Sequence, residues 1–104
     1  MSENSFMIHF HWAGDAATLQ RNYDDVLEKV VALRPTRPMV HLAYPVEDGF
    51  EVVDVWNNEQ IGRELLDNPD FQERLETHGL GNATIRTSSL HRLGWPVSQV
   101  PAYR

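Results

Sequence analysis

The 104-residue chain has no cysteine, which removes disulfides, thiolate nucleophiles and thiolate metal ligands together and is compatible with a reducing compartment. No apolar run is long enough to span a bilayer, and the opening MSENSF has neither the basic stretch nor the apolar core of a signal peptide. Basic residues are scarce: nine Lys and Arg stand against fifteen Asp and Glu, a formal charge of -6. That sign opposes the phosphate backbone that dominates nucleic-acid affinity, so neither nucleic acid nor an anionic membrane is an expected partner. The expected location is the cytoplasm. Internal repeats and low-complexity segments are also lacking. The length suits one domain, 1–104, able to bury a little over ~60% of its unfolded surface.

What is present reads as alternating strands and helices. Residues 5–12, SFMIHFHW, place Phe6, Ile8, Phe10 and Trp12 on one side of a strand and Met7, His9 and His11 on the other. From about Thr18 to Arg34, Leu19, Tyr23, Val26, Leu27, Val30 and Leu33 recur at helical spacing, with Asp15 or Thr18 as cap and Pro35 as the stop. MVHLAYP (39–45) and FEVVDVW (50–56) flank an Asp48-Gly49 hairpin signal, expected to occupy the central positions of a type I′ turn. Asn57 or Asn58 then caps a helix with Ile61, Leu65 and Leu66, and Asn68-Pro69-Asp70 starts another that ends at His78-Gly79. Residues 83–93 form a last strand. The tail 94–104, punctuated by prolines, is expected to pack as a C-terminal arm on a partner subunit or over a pocket mouth.

This β-α-β-β-α-β order predicts an α+β, ferredoxin-like domain, with a four-stranded antiparallel sheet covered on one face by helices. The other face stays bare, and burying it against a second copy gives a homodimer, a dimeric α+β barrel.

One residue conflicts with its surroundings. Asp54 sits among Val52, Val53, Val55 and Trp56, and an ionised carboxylate withdrawn from water costs several kcal/mol or more unless it is paired. Hairpin geometry nominates its partner. With Asp48-Gly49 as a two-residue turn, His41 lies opposite Trp56 and diagonal to Asp54, about 7 to 8 Å away at Cα. A four-residue loop puts His41 directly opposite Asp54, and only a three-residue loop with a bulge separates the two. A histidine beside a carboxylate titrates near neutrality and can act as a general base. His9 and His11 project to one side of the first strand. Should that be Asp54's side, they join His41, Asp54 and Trp56 in one pocket, a point that non-local pairing leaves open. The competing reading makes these histidines core or dimer-interface residues.

Other constellations are weaker. His9-x-His11 plus a carboxylate has the residue types of a metal site, but no H-E-x-x-H helix or thiolate supports it, and no metal is expected. Ser88, Ser89 and His91 lack the glycine-flanked elbow of a nucleophilic serine. His78 suits a helix end, and Trp12, Trp56 and Trp95 read first as core, rim or interface residues.

DGFEVVDVWNNEQIGRELLDNPDF, a hairpin running into a helix broken at Asn-Pro, resembles the antibiotic-biosynthesis-monooxygenase-like group of dimeric α+β barrels. MIHFHWAGDAATLQRNYDDVL, a strand followed by a small turn and a Tyr-bearing helix, adds to the likeness, which covers about Met7 to His91. The group includes cofactor-free oxygenases, haem degraders, isomerase-like proteins and many members with no assigned activity. The places that attend the porphyrin in haem degraders fall here on Leu65 and Leu75, neither of which can serve, so haem degradation is not expected. Cofactor-free oxygenation of a small aromatic, quinol or polyketide-type molecule asks for a base and a dry aromatic pocket. The reaction class that the resemblance implies needs no cofactor, and the residues read above could supply its catalytic parts: His41 or His9 to deprotonate a phenolic substrate, Asp54 to orient the imidazole, and Trp56, Phe50, Tyr44 and His11 around a small aromatic ligand. A non-catalytic ligand-binding or interaction module of the same fold is the alternative.

Overall fold

The computed structural model describes residues 4–33, 36–91 and 93, with the side chain of Leu33 excepted. The expected arm at 94–104, with Trp95, lies outside them. The elements are β1 (Phe6–Ala13), α1 (Ala16–Leu33), β2 (Val40–Val46), β3 (Gly49–Trp56), α2 (Glu59–Leu66), α3 (Pro69–Thr77) and β4 (Thr84–Ser89). All strand pairs are antiparallel in the order β2-β3-β1-β4, which is the ferredoxin-like arrangement. No helix among the described residues is long and apolar enough to cross a membrane.

Local chemistry accounts for the boundaries. Asp15 accepts hydrogen bonds from Thr18 N (2.9 Å) and Thr18 Oγ1 (2.8 Å), so it caps α1. The cap of α2 is Asn58, whose side chain accepts from Ile61 N. Asn68 accepts from both Asp70 N and Phe71 N, with Pro69 at the first helical position, so the helical region is two helices. Gly79, with φ of 74°, ends α3 in the left-handed region.

The hairpin departs from its expected turn. Glu47 and Asp48 are the two turn residues, Val46 pairs with Gly49, and neither turn residue has positive φ. Gly49 is needed for a different reason. It pairs with Ala13 on β1, and a Cβ there would lie 1.8 Å from the Trp12 carbonyl oxygen. The turn is thus centred one residue earlier than expected, because close backbone approach of β3 to β1 claims the glycine for the strand.

Helices cover one sheet face. Phe6, Ile8, Phe10 and Trp12 from β1 and Phe50, Val52 and Trp56 from β3 pack against Leu19, Tyr23 and Val26 of α1, with Leu65, Leu75 and Leu80 closing the core. The Trp12 indole N–H donates to the Leu80 carbonyl at 2.8 Å, which satisfies a buried donor. Asp54 lies within this apolar layer at 6% exposure, the sole buried charged residue among those described.

Candidate functional site

Register brings the site together. In the observed hairpin His41 is the direct partner of Asp54, and on the other side Asp54 pairs with Ile8 of β1. Cross-strand partners share a face, so His41 and Asp54 both project under α1. His41 Nδ1 is hydrogen-bonded to Asp54 Oδ1, and His41 Nε2 to the Tyr23 hydroxyl. An ionised carboxylate can only accept, so Nδ1 carries a proton and donates to Asp54. In the neutral imidazole Nε2 then accepts from the Tyr23 O–H. The Tyr23 and His41 rings are nearly parallel (13°), with centroids 5.9 Å apart, and Phe50 packs on the Tyr23 ring at 5.4 Å.

Burial and charge tune the chain. The hydrogen bond to Asp54 raises the His41 pKa above the usual histidine range, against a smaller opposing effect of burial. Burial, reinforced by the nearby charges of Asp54 and Asp24, pushes the Tyr23 phenol up to about 12. Tyr23 is therefore neutral at physiological pH.

Tyr23, His41 and Asp54 border a cavity of about 90 Å³ whose remaining walls are largely apolar, with Phe10, Trp12, Trp56 and Phe71 among them. Val31, Thr36 and Arg37, all exposed, mark its rim. The Trp56 indole nitrogen is buried and has no hydrogen-bond partner, the only such side-chain atom among the described residues. Leu65 and Leu75 also line the cavity.

Three of the residues expected here lie elsewhere. His9 and His11 are on the sheet face opposite the helices because β1 pairs Ile8 with Asp54, which sends the odd-numbered residues of β1 to the opposite side. Tyr44 is also on that face, since strand alternation separates it from His41, three residues earlier. These three meet Glu51 instead. His9 Nε2 is 3.1 Å and His11 Nδ1 2.8 Å from its carboxylate, the Tyr44 hydroxyl donates to it at 3.0 Å, and His11 Nε2 lies 3.3 Å from Asp48. Those hydrogen bonds, His9 first, hold the Glu51 carboxyl down at about 2. Phe50 is on the cavity side but sits behind Tyr23. No group of three or more His, Asp or Glu side chains among the described residues is arranged to hold a metal ion.

Tyr23 is the residue that the sequence reading passed over. It fitted the apolar stripe of α1, yet a buried tyrosine hydroxyl needs a partner, and that requirement was its signal.

A ferredoxin-like α+β domain with a Tyr-His-Asp chain at the edge of an apolar cavity is thus the class that fold and site define. Among solved structures, SnoaB from Streptomyces nogalater, a cofactor-independent oxygenase, is similar with a TM-score of 0.60 at 14% identity, covering 90% of this chain and 97% of that one. A second SnoaB structure, of a point mutant, gives the same TM-score and identity over 89% and 97%. A conserved protein of unknown function from Bacteroides thetaiotaomicron, described as a possible oxidoreductase, has a TM-score of 0.58 at 9% identity, over 86% and 98%. No protein-family profile and no curated protein sequence matches the chain. These likenesses establish the fold.

Proposed function

We propose that this protein is a cofactor-independent, monooxygenase-like enzyme acting on a small aromatic, phenolic or quinol-type molecule held in the cavity between sheet and helices. The observation that carries the reading is the pairing of the buried Asp54 carboxylate with the partly exposed His41 imidazole at the edge of an otherwise apolar cavity. His41 is the base that ends up holding the proton released by the substrate hydroxyl, and Asp54 orients the imidazole and stabilises the imidazolium that results. The substrate anion is electron-rich enough to transfer electrons to dioxygen, and an apolar enclosure keeps water from the reacting centre. At an activated CH₂ position, dioxygen supplies one carbonyl oxygen and leaves the other as water. The unpartnered Trp56 N–H is a donor for a ligand oxygen. Similarity to SnoaB, itself a cofactor-independent oxygenase, supports the reaction class.

The enclosed volume sets a size constraint. About 90 Å³ is less than the ~150 Å³ cavity that takes up benzene, so a bound ring projects through the mouth between α1 and residues 36–38. Oxygen-electrode assays with a panel of quinols should show uptake that stops on His41→Ala; uptake unchanged in that variant removes His41 as the base. A homodimer formed through the bare sheet face completes the proposal.

One observation favours a second reading, a non-catalytic dimeric module that binds a ligand. Both His41 nitrogens are already occupied, by Tyr23 and Asp54. Calorimetric binding of an aromatic without oxygen uptake by any quinol decides for it.

A further inference from the structure

We propose that Tyr23, rather than His41, is the group that exchanges a proton with the substrate, and that the substrate is an O–H acid, a phenol, enol or quinol, ionised through the chain Tyr23-His41-Asp54. This rests on the oxygenase-like reading for the ligand's aromatic class. The hydrogen-bonding capacity of His41 is the starting point. A histidine has two ring nitrogens, and here Nδ1 is taken by Asp54 and Nε2 by Tyr23. Neither keeps a lone pair for a third partner. Tyr23 does: a phenolic oxygen that donates to Nε2 still has acceptor capacity, and Tyr23 borders the cavity.

The donors then run in one direction. A substrate hydroxyl donates to Tyr23 Oη, Tyr23 Oη–H donates to His41 Nε2, and His41 Nδ1–H donates to Asp54. In the transfer step the substrate O–H bond breaks as a new Oη–H bond forms, while the original Oη–H bond breaks as Nε2–H forms. The products are the substrate anion, accepting a hydrogen bond from a neutral Tyr23, and an imidazolium against the Asp54 carboxylate. No electron leaves the system in this step. Tyr23 carries the proton without ever being a resident phenolate, which its burial and the charges of Asp54 and Asp24 disfavour.

The geometry also selects the substrate. Entry to the chain requires a hydrogen-bond donor at Tyr23 Oη, so an acidic C–H enters only as its enol. The energy cost is the gap between the substrate's acidity and that of His41, which admits phenols and enols and excludes simple alcohols. The charged and titratable groups facing Tyr23 are His41 and Asp54 from the sheet and Asp24 from its own helix. Asp54 acts as a positioning residue.

The test uses 4-nitrophenol, whose ionised form is coloured, titrated spectrophotometrically with the full chain. Bound to the unmodified protein, the probe should ionise at least about one pH unit below its free value. His41→Gln should abolish that shift. Placing 3-fluorotyrosine at position 23 keeps the fold and makes the hydroxyl a stronger donor, and it should lower the ionisation pH of the bound probe further. An ionisation pH unmoved by 3-fluorotyrosine, or by His41→Gln, overturns the proton path. Failure of the unmodified protein to bind the probe overturns both the path and the aromatic-ligand reading. A probe that responds as expected while no quinol is oxidised supports the path and removes the oxygenase reading alone.

Discussion

Asp54 survives burial because it is never alone. At 6% exposure it would be a costly unpaired charge, yet His41 donates to it directly from the neighbouring strand. A hydrogen bond to a charged group contributes about 1.5–3 kcal/mol, so Asp54→Asn should lower unfolding stability by that order in chemical denaturation. The same substitution should return the His41 pKa toward its ordinary value in an NMR pH titration, since the Asp54 hydrogen bond is the largest cause of its elevation. The sign follows from linkage. A histidine whose folded pKa is raised contributes stability that is full below its unfolded pKa of 6.5 and is lost as pH rises through the folded value. Tyr23 behaves likewise at higher pH: raised from 10.0 to about 12, it favours the fold below pH 10 and loses that contribution as pH climbs toward 12. Ultraviolet titration should show one tyrosine ionising only near that upper limit, and His41→Gln should not bring it down to 10, because burial is the leading cause.

Among the elements, the glycines at β3 and α2 set how closely strands and helices approach. A Cβ on Gly62 would meet Phe6 Cδ2 at 2.7 Å, with Trp56 Cδ1 at 3.3 Å. Gly62→Ala should therefore cost about 1–3 kcal/mol by overpacking, despite the better helix propensity of alanine. Gly49→Ala should cost more, since its Cβ meets the Trp12 carbonyl at 1.8 Å and backbone cannot swing aside as a ring can. Thermal unfolding of the two variants checks the order. Asn68→Ala removes the acceptor for two amide groups at the start of α3 and should cost ~1 kcal/mol. These breaks were legible in the sequence because they are local: Asn68-Pro69 and Gly79 each act within a few residues, whereas the choice of Asn58 over Asn57 as the cap of α2 came from the structure. The hairpin turn was legible only in part. Asp48-Gly49 signals a turn by local rules, but the partner that claims Gly49 for the strand is Trp12, thirty-seven positions away.

For the whole molecule, the two sheet faces have different work. One holds the core and the cavity; the other carries the Glu51 cluster, with Leu42 on the same face at 53% exposure. If the sheet face opposite the helices joins two copies, Leu42→Glu should shift the sedimentation profile toward monomer, and an unchanged profile rules that interface out. The cluster also predicts acid sensitivity. Glu51, held at about 2 from an ordinary 4.5, contributes stability that is full above 4.5 and disappears as pH falls toward 2. Melting temperatures followed from pH 6 to pH 2 should drop across that window, and Glu51→Gln should flatten the drop.

The sequence by itself determined the order of elements, the two alternating sets on β1, the Asn68-Pro69 break between the helices and the neighbourhood of His41 and Asp54. Each depends on alternation, on helical spacing or on a short hairpin, where partners are bound by chain connectivity. Only the tertiary structure decided that His9, His11 and Tyr44 turn away to meet Glu51, that Tyr23 reaches His41 from α1, and that these groups close on a cavity. The pairing of β1 with β3 joins residues more than thirty-five positions apart. A shift of one residue in that register exchanges the two faces, so long-range packing of the apolar side against the helices, rather than any local signal, assigned each histidine its partner.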